Sequence, residues 1–143
     1  MNIKLITKRV GQGYILLSAL AILSVSLMAF SNPQSVMDLV QVQLPNPDAF
    51  SSIRGAYGGV GLTLFISLLY LMLREVPKGL AFLSLLWGLY ALSRIMTIVS
   101  QGALGSFGRQ WLLIESILCL TALVLLWANR TVNSSLLAYE NRC

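Results

Sequence analysis

Polar side chains are sparse between Val10 and Ala128 and fall in short clusters. Four apolar runs lie between them, at about 10–30, 50–73, 79–99 and 107–128. Each approaches the ~20 residues that cross ~30 Å of hydrocarbon at 1.5 Å per residue. A bilayer core offers the backbone no water, so such runs must satisfy their peptide groups internally, as helices. The pattern predicts an all-α fold, an integral membrane four-helix bundle in a single domain over residues 1–143. A polar, loosely ordered tail is expected at 129–143.

The first run follows basic residues, as a secretory signal would, and AFS at Ala29–Ser31 is a tolerable cleavage sequence. The run outlasts the ~7–15 apolar residues of a signal core, so an uncleaved helix is expected. The connection SNPQSVMDLVQVQLPNPDA is long for a simple turn. Asn32 and Pro33 fit a helix cap and first helical position. Val36, Met37, Val40 and Leu44 then share a helical face, which predicts a short interfacial helix, although VQVQL alternates and also fits an extended strand. Asp48 or Asn46 can cap the second membrane helix. REVPK at Arg74–Lys78 leaves room only for a tight hairpin.

Composition agrees with the pattern. Hydrophobic residues make up 57% of the chain and charged residues 10%, against roughly 25% charged in a soluble domain. The net charge is +5, yet the basic residues sit at the ends of apolar runs without interleaved stacking aromatics, so no nucleic acid is expected. Lys4, Lys8 and Arg9 precede the first run, Arg74 and Lys78 separate the second and third, and Arg130 and Arg142 follow the fourth. The other two connections carry neither Lys nor Arg. The positive-inside rule therefore puts both termini in the cytoplasm, with the NRT and NSS sequons at Asn129 and Asn133 unused. Tyr14 and Trp127 are expected near the inner interface, Phe50 and Trp111 near the outer one. Histidine is absent, which removes most zinc sites, His-ligated haem and His-based triads. Cys119 and Cys143 fall at different depths, which argues against a disulfide. No metal and no cofactor is expected.

Three charges lie within the apolar runs: Arg54, Arg94 and Glu115. Counted from the inner helix ends, they stand about 28, 22 and 20 Å up, so all fall in the outer half. A lone charge at the centre of a membrane helix costs about 2.5–3.5 kcal/mol on insertion scales. Pairing Arg94 with Glu115 removes much of that cost, and Arg54 above them leaves a net positive cluster suited to an anionic or carbonyl group. Tyr57 and Tyr90 lie within one helical turn of Arg54 and Arg94. The candidate ligand-binding set is therefore Arg54, Tyr57, Tyr90, Arg94 and Glu115. The bland reading is that the pair only fixes helix register while Arg54 and Arg109 reach outward to headgroups. Trp87 and Cys119 are read as packing residues.

Small residues accompany these charges. Arg54 shares a face with Gly58 and Gly61, Arg94 with Ser84, Gly88 and Ala91, and Glu115 with Cys119 and Ala122. Ser51, Gly55, Gly59, Thr63 and Ser67 recur every four residues along the second run, the spacing of close helix packing. The candidate helix-packing positions are Ser51, Gly55, Gly58, Gly59, Thr63, Ser67 and Gly88. They serve packing inside the bundle or a surface for another subunit.

NPDAFSSIRGAYGG at Asn46–Gly59, WGLYALSR at Trp87–Arg94 and GRQWLLIES at Gly108–Ser116 resemble a family of small bacterial four-helix membrane proteins. That family is labelled only as a domain of unknown function and is similar to the DoxX-like group. The likeness covers about Val10 to Ala128. Its characteristic polar residues correspond to Arg54, Tyr57, Gly58, Gly59, Arg94 and Glu115. The resemblance implies a bacterial inner membrane location and, through DoxX-like relatives, an association with membrane oxidoreductase systems and quinone chemistry. The chain itself has no P-loop, no GxSxG and no paired carboxylates, so an enzyme is the least supported reading. The leading expectation is a non-enzymatic accessory component in the lipid bilayer that packs on a membrane-protein partner or as a homo-oligomer. The alternative is a binding protein or transporter for a small amphiphile, a quinone or anionic lipid, at the outer Arg/Glu cluster.

Overall fold

In a computed structural model of the chain, the backbone of residues 3–140 and the side chains of residues 3–131 are described. Cys143 and Arg142 lie outside them. The order is α1 (Ile3–Ser31), α2 (Pro33–Asp38), α3 (Pro47–Ile53), a π-helical segment (Arg54–Gly59), α4 (Val60–Arg74), α5 (Val76–Gln101) and α6 (Ser106–Glu140). No strand occurs among the described residues. From α3 to α4 the chain is one continuous helical stretch, Pro47–Arg74. Four helical stretches, each of at least 26 residues, are long and apolar enough to cross a membrane. At 1.5 Å per residue each exceeds ~30 Å of hydrocarbon, and the chain is a multi-pass membrane protein.

The helix ends follow local chemistry. Asn32 accepts a hydrogen bond from the Gln34 N–H at 3.1 Å and starts α2 at Pro33. Of the two caps considered for the next helix, Asn46 takes the role, accepting from the Ala49 N–H at 2.9 Å. A single residue, Glu75, separates α4 from α5. Gly102 ends α5 at φ 97°, a conformation that a Cβ would strain. The membrane helices are longer than their apolar runs, and α6 shows this most. The tail expected to be loosely ordered continues the helix to Glu140. No Gly or Pro falls between Arg109 and Glu140 to stop it.

The chain divides into two compact units, Leu16–Tyr70 and Met1–Ile15 with Leu71–Cys143. In the first, Ala29, Val36 and Met37 form a small core joined by Val25, Leu44 and Ile53. Val40 departs from the expected apolar face and is exposed. The reason is that α2 stops at Asp38 and Gln41 turns the chain at φ 59°. The segment 42–45 is not helical, in line with its alternating pattern.

In the second unit the beginning of α1 packs with α5 and α6. A Cβ added at Gly11 would lie 2.8 Å from Val76 Cγ1, and one at Gly79 would lie 2.7 Å from Ile15 Cδ1. Tyr14 is buried, and its hydroxyl donates to the Leu118 carbonyl at 2.7 Å. A buried phenol needs an acceptor, and that carbonyl supplies it. Trp127 is well exposed.

Candidate functional site

The polar residues singled out above fall in both units. Arg54 and Tyr57 belong to Leu16–Tyr70, whereas Tyr90, Arg94 and Glu115 belong to the unit that contains α5 and α6.

On α5 and α6 the small residues let the helices approach. A Cβ at Gly88 would stand 3.3 Å from Cys119 Sγ, and the Cys119 thiol donates to the Ser84 carbonyl at 3.3 Å. Ala91 and Ala122 are buried. Within this close contact Arg94 meets Glu115 side by side. Nε donates to Oε2 at 2.6 Å and Nη2 donates to Oε1 at 2.8 Å. Glu115 is 2% exposed and the Arg94 side chain 21%. The two-point geometry is the strongest form of this interaction, and it uses both carboxylate oxygens. An aromatic ring, Phe107, adds to the environment. The Arg94 guanidinium lies 6.0 Å from the centroid of Phe107, within cation–π range. Phe107 also leans on Trp111 with centroids 6.0 Å apart. The sequence carries a signal for this contact, since 107, 111 and 115 are spaced by four on one helix face. Tyr90 is half exposed and contacts Trp87 at 6.2 Å. Trp87 is buried, and its indole N–H meets no acceptor among the described residues.

In the other unit, Arg54 opens the π-helical segment RGAYGG. Its Nε donates to the Phe30 carbonyl at 3.3 Å, and the residue is otherwise exposed. Gly58 and Gly61 face the same stretch of α1. A Cβ at Gly58 would stand 3.1 Å from the Phe30 ring, and one at Gly61 would stand 2.9 Å from Ser26 Cβ. The Ser26 hydroxyl donates to the Gly58 carbonyl at 2.6 Å. These glycines are what allow α1 and the Pro47–Arg74 stretch to touch. Tyr57 is partly exposed.

The π geometry is a feature that periodicity did not reveal. The Val60 N–H reaches back to the Gly55 and Tyr57 carbonyls. The extra width affects the row of small residues. In a 3.6-residue turn, a step of four overshoots by about 40°. A wider π turn makes that step fall short instead, so the segment offsets the drift between Gly55 and Gly59. Ser51, Gly55, Thr63 and Ser67 are exposed, and Gly59 is half-buried. Beyond its own helix backbone and chain neighbours, a Cβ built at Gly55 or Gly59 meets no described atom within 4 Å. Thr63 and Ser67 keep their hydroxyls on their own helix, donating to the Gly59 and Thr63 carbonyls at 3.0 and 2.8 Å. The row thus has low relief and, at Thr63 and Ser67, satisfied hydroxyls, the properties of a face that another helix can approach.

Compared with known proteins, residues 10–126 match the model of a family described as a domain of unknown function (DUF4345). No curated protein and no solved structure matches the chain.

Proposed function

The chain belongs to the family described as a domain of unknown function (DUF4345), and we propose that it is a non-enzymatic accessory component that packs against another membrane protein or a second copy of itself. The observation that carries this reading is the open row Ser51, Gly55, Gly59, Thr63 and Ser67. Beyond their own helix backbone and chain neighbours, Gly55 and Gly59 have no described atom within 4 Å of where a Cβ would be. Helices in lipid associate by close packing over small residues, because burial from water is not available as a driving force. The π-helical segment supports the reading, since such segments recur at functional positions. The arrangement of Lys and Arg supports both termini in the cytoplasm, and the family resemblance supports a bacterial inner membrane. The likeness to the DoxX-like group supports a partner among membrane oxidoreductase systems.

Cross-linking in native membranes, followed by purification in mild detergent, tests this. The intact chain is expected in a complex, and a Gly55→Ile/Gly59→Ile variant is expected to lose it while remaining folded. A monomeric chain with no cross-linked partner would contradict the proposal.

A second reading, an amphiphile site at Arg54, Tyr57, Tyr90, Arg94 and Glu115, draws support from Arg54. Its Nε is engaged by the Phe30 carbonyl, and the residue is exposed, three positions before the exposed Tyr57. A quinone carbonyl or a lipid phosphate suits such a donor. Arg94 supports this reading less, because Glu115 takes two of its donors. Loss of bound quinone or lipid on Arg54→Gln, with Gly55→Ile/Gly59→Ile unaffected, would favour it over the first.

A further inference from the structure

Away from the Arg94–Glu115 pair, one cavity of about 260 Å³ lies where α1 begins, α4 turns into α5 and α6 passes Asn129. A water needs only about 10–15 Å³ of such space, so the cavity has room for a much larger group. Lys4 and Lys8 line it from one face of α1, and Arg74 lines it from the end of α4. The one carboxylate in the lining, Glu75, is engaged by Lys78 Nζ at 2.5 Å. Three cations therefore border the space, and a fourth answers its acidic group.

The backbone adds to this field. Helix α5 begins at Val76, and Glu75 makes no side-chain capping hydrogen bond to it. The positive end of a 26-residue helix thus lies at the cavity wall. The floor is held firmly. Asn129 is buried and donates to the Leu125 and Thr7 carbonyls at 2.9 and 3.4 Å, which ties α6 to α1. Gly11 brings α1 against Val76 with no room for a Cβ.

We propose that this cavity binds the phosphate headgroup of an anionic phospholipid. Clustered Lys and Arg beside the positive end of a helix recognise phosphate. A soluble phosphate would satisfy the same groups, but the setting favours a lipid. The cavity sits at the end of membrane-crossing helices, and Leu5 and Leu73, next in sequence to Lys4 and Arg74, are exposed apolar side chains along which acyl chains can lie.

The test titrates the full chain in neutral detergent with phosphatidylglycerol, phosphatidylcholine or inorganic phosphate, and reads bound lipid by native mass spectrometry. Phosphatidylglycerol is expected to bind in preference to phosphatidylcholine. Lys4→Gln/Lys8→Gln/Arg74→Gln is expected to weaken that binding by about tenfold to a hundredfold. Arg130→Gln, outside the cavity lining, is expected to stay within about twofold. Should the triple variant fail to fold, Arg74→Gln and its rescue by Arg74→Lys carry the comparison. Equal binding of the two lipids, equal loss in Arg130→Gln and the triple variant, or displacement of the lipid by equimolar inorganic phosphate would each overturn the proposal.

Discussion

Two arginines within apolar helical stretches have different surroundings. Arg94 is met by Glu115 with two hydrogen bonds and backed by Phe107, in contact made close by Gly88 and Cys119. Arg54 gives one hydrogen bond to a backbone carbonyl and stands exposed at the head of a π-helical segment. Glycines divide in the same way. Gly58 and Gly61 press on α1, while Gly55 and Gly59 face open space among the described residues. The contrast teaches that a charge or a glycine in a membrane helix does not by itself mark a site. An answered charge and a filled glycine hold the chain together, whereas the unfilled glycine row is the face that the proposed association would use.

The largest effect should come from breaking the answered pair. Arg94→Met leaves Glu115 buried without its partner and should cost about 3–5 kcal/mol in equilibrium unfolding in mixed micelles. Arg94→Met/Glu115→Leu should recover most of that loss, since no charge is then stranded. A cost below about 1 kcal/mol for the single change would place the pair among surface ion pairs, and the contrast with Arg54 would fail. Next are the glycines. Gly61→Val forces a side chain onto Ser26 and should cost about 1–3 kcal/mol, whereas Gly55→Val should stay within about 0.5 kcal/mol. Equal costs in a thermal melt would show that both faces are filled. Ser26→Ala removes the hydroxyl that donates to the Gly58 carbonyl and should cost about 0.5–1.5 kcal/mol by the same assay. Of the polar changes, Arg54→Gln should alter stability least, by under about 1 kcal/mol, because a single exposed hydrogen bond is lost.

Much of this was legible in the sequence. The lengths of the apolar runs located four membrane helices, since hydrocarbon thickness leaves little choice. Counting 1.5 Å per residue from the helix ends set Arg94 and Glu115 at one level, and their ion pair follows from the cost of leaving either alone. Shared faces correctly grouped Arg54, Gly58 and Gly61 against a neighbour. The π-helical segment was hidden because a local gain in width leaves the composition RGAYGG unchanged, and glycines accept several backbone conformations. The hydrogen bond from Tyr14 to the Leu118 carbonyl was hidden because its partners are more than a hundred residues apart. The basic cavity was hidden for the same reason: Lys4, Arg74 and Asn129 come together only when α1, α4 and α6 are assembled. The continuation of α6 was masked by its polar composition, which argues against a membrane span but does not forbid a helix.

The central claim is that the open glycine row, rather than the packed one, is used for association. Its most direct measurement is the size of the complex extracted from native membranes for the intact chain, Gly55→Ile/Gly59→Ile and Ser26→Ala. The account predicts a complex for the intact chain and for the destabilised but open-faced Ser26→Ala, and a folded monomer for Gly55→Ile/Gly59→Ile. An unchanged complex in Gly55→Ile/Gly59→Ile, or a monomer for the intact chain, would contradict it.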